Sequence, residues 1–375
     1  MVRALDDRAP EAGGILTVDL GALAANYREL VRRAAPAGCT AVVKADGYGI
    51  GLEPAAAALA KAGCDTFFVA LLDEARRLRA VVPAATIYVL NGLHHGTAAG
   101  FRELAAQPVL GSMPEIEEWD VFAREAKIRL PAAFHIDTGM RRHGLAPADA
   151  EALAKGLKLL HFSPSLVMSH MACADEPDHP MNARQITDFR ALAARFPGVP
   201  ASLANSAALL ALPDARFDLV RPGIALYGGR ALLKGDNPMR PVVRLDLRVI
   251  QVREANKGDT VGYSAAQTLG RPTRIAVVSA GYGDGIPRAS GSSNRQKGAD
   301  AIVAGRRCPI LGRVSMDLIS IDVTDLPVGA VKRGDVATLL GEGINVDDLA
   351  ESAGTVGYEI LTRLGRRYHR HYVGG

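Results

Sequence analysis

The chain is poor in sulfur ligands. Its 375 residues hold four cysteines, at positions 39, 64, 173 and 308, with no C-x-x-C pair among them. That spacing excludes a disulfide scaffold and reads as free or buried thiols in a reducing compartment. The His94-His95 pair has no carboxylate or cysteine at ligand spacing, so no metal site is expected. Long apolar runs are also missing: none approaches the ~20 residues needed to span a bilayer. The opening stretch MVRALDDRAPEAGG carries Asp6, Asp7 and Glu11 and no apolar segment, unlike a secretory signal. Nor does either sign of charge dominate. Forty-four Lys and Arg against 40 Asp and Glu leave +4, and the one basic cluster is Arg363–His371. Nucleic-acid binding, which needs a clustered basic face, is not expected. These absences describe a soluble, cytoplasmic protein with no membrane and no nucleic-acid partner.

What is present is globular: 48% hydrophobic and 22% charged residues exclude a disordered chain. The length points to two domains at roughly 100–200 residues each. From residue 40 to about 230, short apolar or β-branched runs alternate with helical periodicity. The strand-like runs are Thr40–Lys44, Thr66–Ala70, Thr86–Leu90, Pro108–Gly111, Ala132–Asp137, Leu166–His170, Ala201–Ala204 and Leu219–Arg221. Eight repeats predict an α/β fold with a (β/α)8 TIM-type barrel. Beyond Arg240 the chain becomes β-rich, through Val242–Arg253, Arg274–Ser279, Ala301–Val303, Leu318–Val323 and Val336–Leu340. The expected division is a loose tail at 1–13, a barrel at 14–235 and a C-terminal mostly-β domain at 236–375. Leu233–Pro241 serves as linker.

Catalytic groups of such barrels sit at the C-terminal ends of the strands. Here those ends carry Lys44, Asp137, His170, Asn205-Ser206 and Arg221. Lys44 follows the apolar run Ala41-Val42-Val43, where burial lowers an amine's pKa. A neutral amine is what condensation with a carbonyl requires. Ser206 lies where barrels often hold phosphate, although Asn205 or Ser206 could equally be a helix cap. A reactive lysine and a phosphate site on one rim point to pyridoxal 5′-phosphate (PLP). Arg221 facing a pyridine nitrogen would leave it unprotonated, because a guanidinium gives up no proton.

The run Ala41-Val42-Val43-Lys44-Ala45-Asp46-Gly47-Tyr48-Gly49 resembles the PLP attachment motif of alanine racemases. The resemblance continues through His135–Arg142, Ser169-His170-Met171, Asn205-Ser206-Ala207 and Val220–Ile224. It extends into the second domain at Val261–Ser264, Gly281–Gly285, Gly312–Asp317 and Gly357–Leu361. It implies an isomerase that interconverts L- and D-alanine for peptidoglycan synthesis. It also implies a homodimer whose active sites are shared between subunits. Carried over position by position, Lys44 holds PLP and is one catalytic base, and Tyr263 of the second subunit is the other. Tyr48, Asn205, Ser206, Gly223 and Ile224 would hold the cofactor at its phosphate end. Arg221, hydrogen-bonded by His170, would face the ring nitrogen. Arg142, Met316 and Tyr282 would contact the substrate.

Three positions depart from the family pattern. His135 stands where many members have a carbamylated lysine that orients the arginine. His143 replaces a leucine and is expected to cap a helix or face solvent. Arg366 stands where a phosphate-contacting tyrosine is found in some members, and is read as part of a basic tail. Two other readings share the barrel: a racemase of broader specificity, and a non-catalytic PLP-binding barrel protein. The second lacks a β-domain carrying residues such as Tyr263.

Overall fold

The computed structural model describes residues 9–375. Eight parallel strands form the barrel. Its first strand is broken at Thr40 into Gly38–Cys39 and Ala41–Val42. Thr66–Val69, Thr86–Val89, Gln107–Leu110, Pro131–His135, Ser163–Met168 and Ala201–Ser202 follow in order. Leu219–Val220 closes the ring. It pairs with Gly38–Cys39 on one side, where Thr40 N–H donates to Val220 O over 3.1 Å and Val42 N–H to Pro222 O over 3.0 Å. On the other side Arg221 N–H donates to Ala204 O over 2.9 Å. Strands covered on both faces need unbroken apolar runs, which is why Phe67, Phe68 and Val69 are all fully buried.

A helix at Leu20–Ala34 precedes the barrel and was not expected from the sequence. Asp19 caps it by accepting from Ala22 N–H over 2.8 Å. Leu20, Leu23, Tyr27 and Leu30, three or four residues apart, form its buried stripe. Asn26 on the same helix is buried and donates to the carbonyls of Leu226 (3.0 Å) and Arg240 (2.8 Å). One amide thus ties the helix to the end of the barrel and to the linker.

The second domain is an eight-stranded sheet. Thr273–Val278, Ile319–Asp322, Arg306–Leu311, Asp300–Val303, Val336–Leu340 and Val243–Ala255 pair in sequence, and the last pairs back onto the first. The expected division at residue 14 needs correcting. Gly14–Asp19 is no part of the barrel: it runs antiparallel to Val243–Ala255, with Leu16 opposite Leu245, and parallel to His369–Val373. Its alternating burial puts Leu16 and Val18 into this sheet's core. The tail reading also changes. Residues 1–8 lie outside the described residues, but Ala9–Glu11 form a helical turn. Arg248 donates to the carbonyls of Ala9 (2.9 Å) and Ala12 (3.0 Å), so residues 9–13 are anchored. The basic C-terminal stretch is likewise structural where it enters the strand His369–Val373.

Candidate active site

A cavity of about 940 Å³ opens at the C-terminal ends of the barrel strands. Lys44, Tyr48, Arg142, His170, Asn205, Ser206, Arg221, Gly223 and Ile224 all line it, as do His135, His143 and Tyr358.

Lys44 leads into an unusual turn. Ala45, Asp46, Gly47 and Tyr48 all have φ between 52° and 62°. For residues other than glycine this left-handed conformation costs roughly 1–2 kcal/mol each. Hydrogen bonds from Gly47 N–H to Val43 O (3.0 Å) and from Gly49 N–H to Ala45 O (2.8 Å) close the turn. Gly49 itself must be glycine, since a Cβ there would lie 2.0 Å from Leu361 O. The second domain supports the loop beyond it: Arg370 donates to Gly49 O over 2.7 Å and Tyr372 to Ile50 O over 2.8 Å. The turn leaves the Lys44 amine half-buried, its pKa lowered first by desolvation and then by the charge of Arg142.

Asn205, Ser206, Gly223 and Tyr48 line the same cavity as Lys44. Asn205 caps the Ser206–Ala211 helix by accepting from Ala208 N–H over 3.0 Å, which is the capping role weighed from the sequence. Ser206 is buried, and its hydroxyl oxygen accepts from Gly223 N–H (2.8 Å) and Ala225 N–H (3.3 Å). Its proton is left free to point elsewhere. Tyr48 stacks on Tyr227 with centroids 4.5 Å apart. A Cβ on Gly223 would come within 2.1 Å of the Tyr48 hydroxyl, so the two fit only because residue 223 has no side chain. Burial raises the Tyr48 pKa and keeps its phenol a donor. Tyr358, pushed up to about 12 by burial, lies beside it with ring centroids 6.2 Å apart. Its role could have been read from the Gly357–Leu361 motif. Arg366, eight residues on, is exposed and does not line the cavity.

The inner wall is cationic. Arg221 is 4% exposed and donates to Ser169 O over 2.6 Å, to Leu203 O over 3.4 Å and to the Ser202 hydroxyl. Burial lowers its pKa to about 9. The expected hydrogen bond between Arg221 and His170 is not formed; the guanidinium donates to strand-end carbonyls and to Ser202 instead. His170 lies close by, and burial, followed by the charges of Arg221 and Arg142, holds it neutral. His135 is buried and held at about 3, first by desolvation and then by His143 and the two arginines. His143 neither caps a helix nor faces solvent. Its ring lies edge-on to His135, centroids 5.2 Å apart, against Gly111, and its Nε2 is buried without a partner. The one carboxylate lining the cavity, Glu359, is already bonded to Thr355 and to Arg363 at 2.6 Å. Lys44, Arg142 and Arg221 therefore face a space with no free acid among the described residues. Such a wall is built to receive an anion.

Tyr263, Tyr282 and Met316 do not reach this cavity within one chain. All three are exposed, at 66%, 39% and 53%. They sit on adjoining loops of the second domain. Tyr282 N–H donates to Ser315 O and Gly283 N–H to Met316 O, both over 2.9 Å. Arg313 donates to Ser264 over 3.1 Å. Two tyrosines and a methionine are thus left exposed on these loops.

Residues 18–231 match the family model described as alanine racemase, N-terminal domain, and residues 242–372 match alanine racemase, C-terminal domain. An alanine racemase of Methylobacterium sp. (strain 4-46) is 54% identical over 361 residues, covering 96% of this chain and 98% of the relative. That of Methylobacterium nodulans is 52% identical over 363 residues, 97% of each. A crystal structure of alanine racemase from Bartonella henselae, with covalently bound pyridoxal phosphate, superposes with a TM-score of 0.91 at 37% identity. The match covers 96% of this chain and all of that one.

Proposed function

The chain belongs to the alanine racemase family, and from that premise we propose that it interconverts L- and D-alanine with PLP held in the barrel cavity. The observation that carries this reading is the cationic cavity, whose one lining carboxylate among the described residues, Glu359, is already paired with Arg363. It brings a half-buried lysine, the buried Ser206 and Tyr48, and a buried arginine to one cavity. PLP would be bound covalently at Lys44. Tyr48, Ser206, Gly223 and Ile224 would hold its phosphate, with Asn205 fixing the Ser206 turn. When bound, PLP supplies an electron-withdrawing ring that makes the substrate Cα–H acidic. Arg221 would face the ring nitrogen and leave it without a proton, which limits electron withdrawal and disfavours transamination. His170 packs beside Arg221.

The substrate needs a proton taken from one face of Cα and returned to the other. One group would have to cross the plane, so two opposed groups are the simpler arrangement. Lys44, whose pKa burial lowers toward the free amine that can accept a proton, serves one face. The partner subunit's Tyr263 serves the other. Arg142 binds the substrate carboxylate, joined by the partner's Met316 through its backbone N–H, and the partner's Tyr282 narrows the entrance. The exposure of these three side chains supports a homodimer with shared sites. The D-alanine formed would supply peptidoglycan synthesis in the cytoplasm. No helix among the described residues is long and apolar enough to cross a membrane.

The test is the rate of enantiomer interconversion with alanine, serine, lysine and arginine. Alanine is expected to be turned over fastest by at least about tenfold, the discrimination a small pocket gives. Equal or faster turnover of lysine or arginine identifies a broader-specificity racemase instead, and turnover of none of the four identifies a PLP-binding protein without this activity. Gly223→Ala is a second test. Its Cβ displaces the Tyr48 hydroxyl, so PLP affinity measured by titration of the apo-protein is expected to fall by roughly 10-fold to 100-fold. Unchanged affinity would remove Gly223 and Tyr48 from the phosphate site.

A further inference from the structure

Side chains of the helix Leu72–Val81 hydrogen-bond the left-handed turn after Lys44 from outside. Glu74 on that helix is buried, at 9% exposure. One carboxylate oxygen accepts from Ala45 N–H over 2.6 Å. The other accepts from Ala70 N–H (2.7 Å) and Leu71 N–H (3.1 Å) at the helix's own start. One turn further along, Arg77 donates to Asp46 over 2.6 Å and to Glu53 over 2.7 Å. Thus the two residues following Lys44 are each gripped from the neighbouring strand–helix unit. Glu74 is also an acidic charge near the Lys44 amine, acting against the desolvation and the Arg142 charge that lower its pKa. It lies behind the loop and does not line the cavity.

We propose that Glu74 is a positioning residue for Lys44: its carboxylate joins Ala45 to the start of the next helix and so fixes the strained turn that aims the amine into the cavity. This rests on Lys44 being the point of PLP attachment. Two functions of the one carboxylate can be separated. The bonds to Ala70 and Leu71 are local, three and four residues away, and an aspartate can still make them. The bond to Ala45 spans 29 residues. A side chain one methylene shorter cannot reach it while capping its own helix. Glutamine keeps the length but puts an amide NH₂ against backbone N–H groups on one side.

The experiment reconstitutes apo-protein with PLP, reduces with borohydride and measures by mass spectrometry the fraction of PLP fixed to Lys44, alongside total PLP bound. In Glu74→Asp the melting temperature is expected to stay within a few degrees of the parent. Covalent capture should fall about 10-fold to 100-fold relative to total binding, the range for losing one hydrogen bond to a charged group. Glu74→Gln should fall similarly. Capture at parental level in the aspartate variant overturns the proposal. A measurement on the unsubstituted protein provides a check that needs no variant. Amides 45–49 of the apo-protein should exchange as slowly as those of the Thr66–Val69 strand, and exchange at exposed-loop rates also overturns it. If Lys44→Ala still traps PLP, the attachment site is wrong and the failure lies with Lys44.

Discussion

Replacing Lys44 with alanine is expected to give a folded protein that shows none of the absorbance of lysine-bound PLP and interconverts alanine more slowly by a factor of roughly 10⁴ or more. The loss is large because one side chain would fulfil two roles, tethering the cofactor and moving a proton. The fold should tolerate it. Lys44 is half-buried at the cavity wall, and its charge faces that of Arg142, so truncation removes a repulsion and leaves little void. Thermal melting should be unchanged or slightly higher, which separates chemical loss from unfolding. A retained lysine–PLP band, or activity within tenfold of the parent, would place the attachment elsewhere on the rim.

Tyr263→Phe is expected to abolish interconversion with an effect of similar size while sparing half of the chemistry. With one base left, one enantiomer should still exchange its Cα hydrogen in deuterated water and the other should not. The phenol is 66% exposed in the isolated chain and makes no contact with the cavity, so the hydroxyl's removal should leave stability as it was. The decisive form of the experiment mixes chains. Lys44→Ala protomers carry an intact Tyr263, and Tyr263→Phe protomers an intact Lys44. Random reassociation gives heterodimers in half of the population, each with one complete site, so about a quarter of parental activity should return from two inactive parents. Absence of recovery in heterodimers verified by native mass spectrometry would falsify the shared site.

The barrel was readable because its strands announce themselves locally. A parallel strand buried on both faces is an apolar run, and the first polar residue after it, as at Lys44 or Arg221, marks the rim. The Leu20–Ala34 helix is equally legible in Leu20, Leu23, Tyr27 and Leu30 with Asp19 before them, although it stands outside the strand–helix rhythm that begins at residue 40. Gly14–Asp19 is another kind of miss. Its alternation indicates a strand with one buried face, yet nothing in six residues says which sheet will take it. Only pairing with residues some 230 and 350 positions away decides that. Among the site residues, His143 escaped because its neighbours along the chain, Arg142 and Gly144, look like a solvated loop, while its contacts, His135 and Gly111, come from the ends of other strands. Tyr263, Tyr282 and Met316 came from family resemblance alone. Within one chain, no packing signal links an exposed loop to a cavity it does not touch.

The strand Gly14–Asp19 has a consequence for how the protein is made. It emerges early from the ribosome, yet its place between Val243–Ala255 and His369–Val373 does not exist until the last strand has been synthesised, about 350 residues later. At bacterial elongation rates that delay is on the order of half a minute. Throughout it, an amphipathic strand with at least one edge unpaired, and both until Val243–Ala255 is made, is a template for wrong pairing. The same final strand carries Arg370 and Tyr372, which support the loop after Lys44. A ribosome that stalls before His369–Val373 therefore leaves a barrel whose lysine loop lacks its brace and whose Gly14–Asp19 strand has one edge unpaired. Such a product would be both inactive and exposed to proteolysis, so synthesis of His369–Val373 itself acts as the checkpoint for assembly of the site.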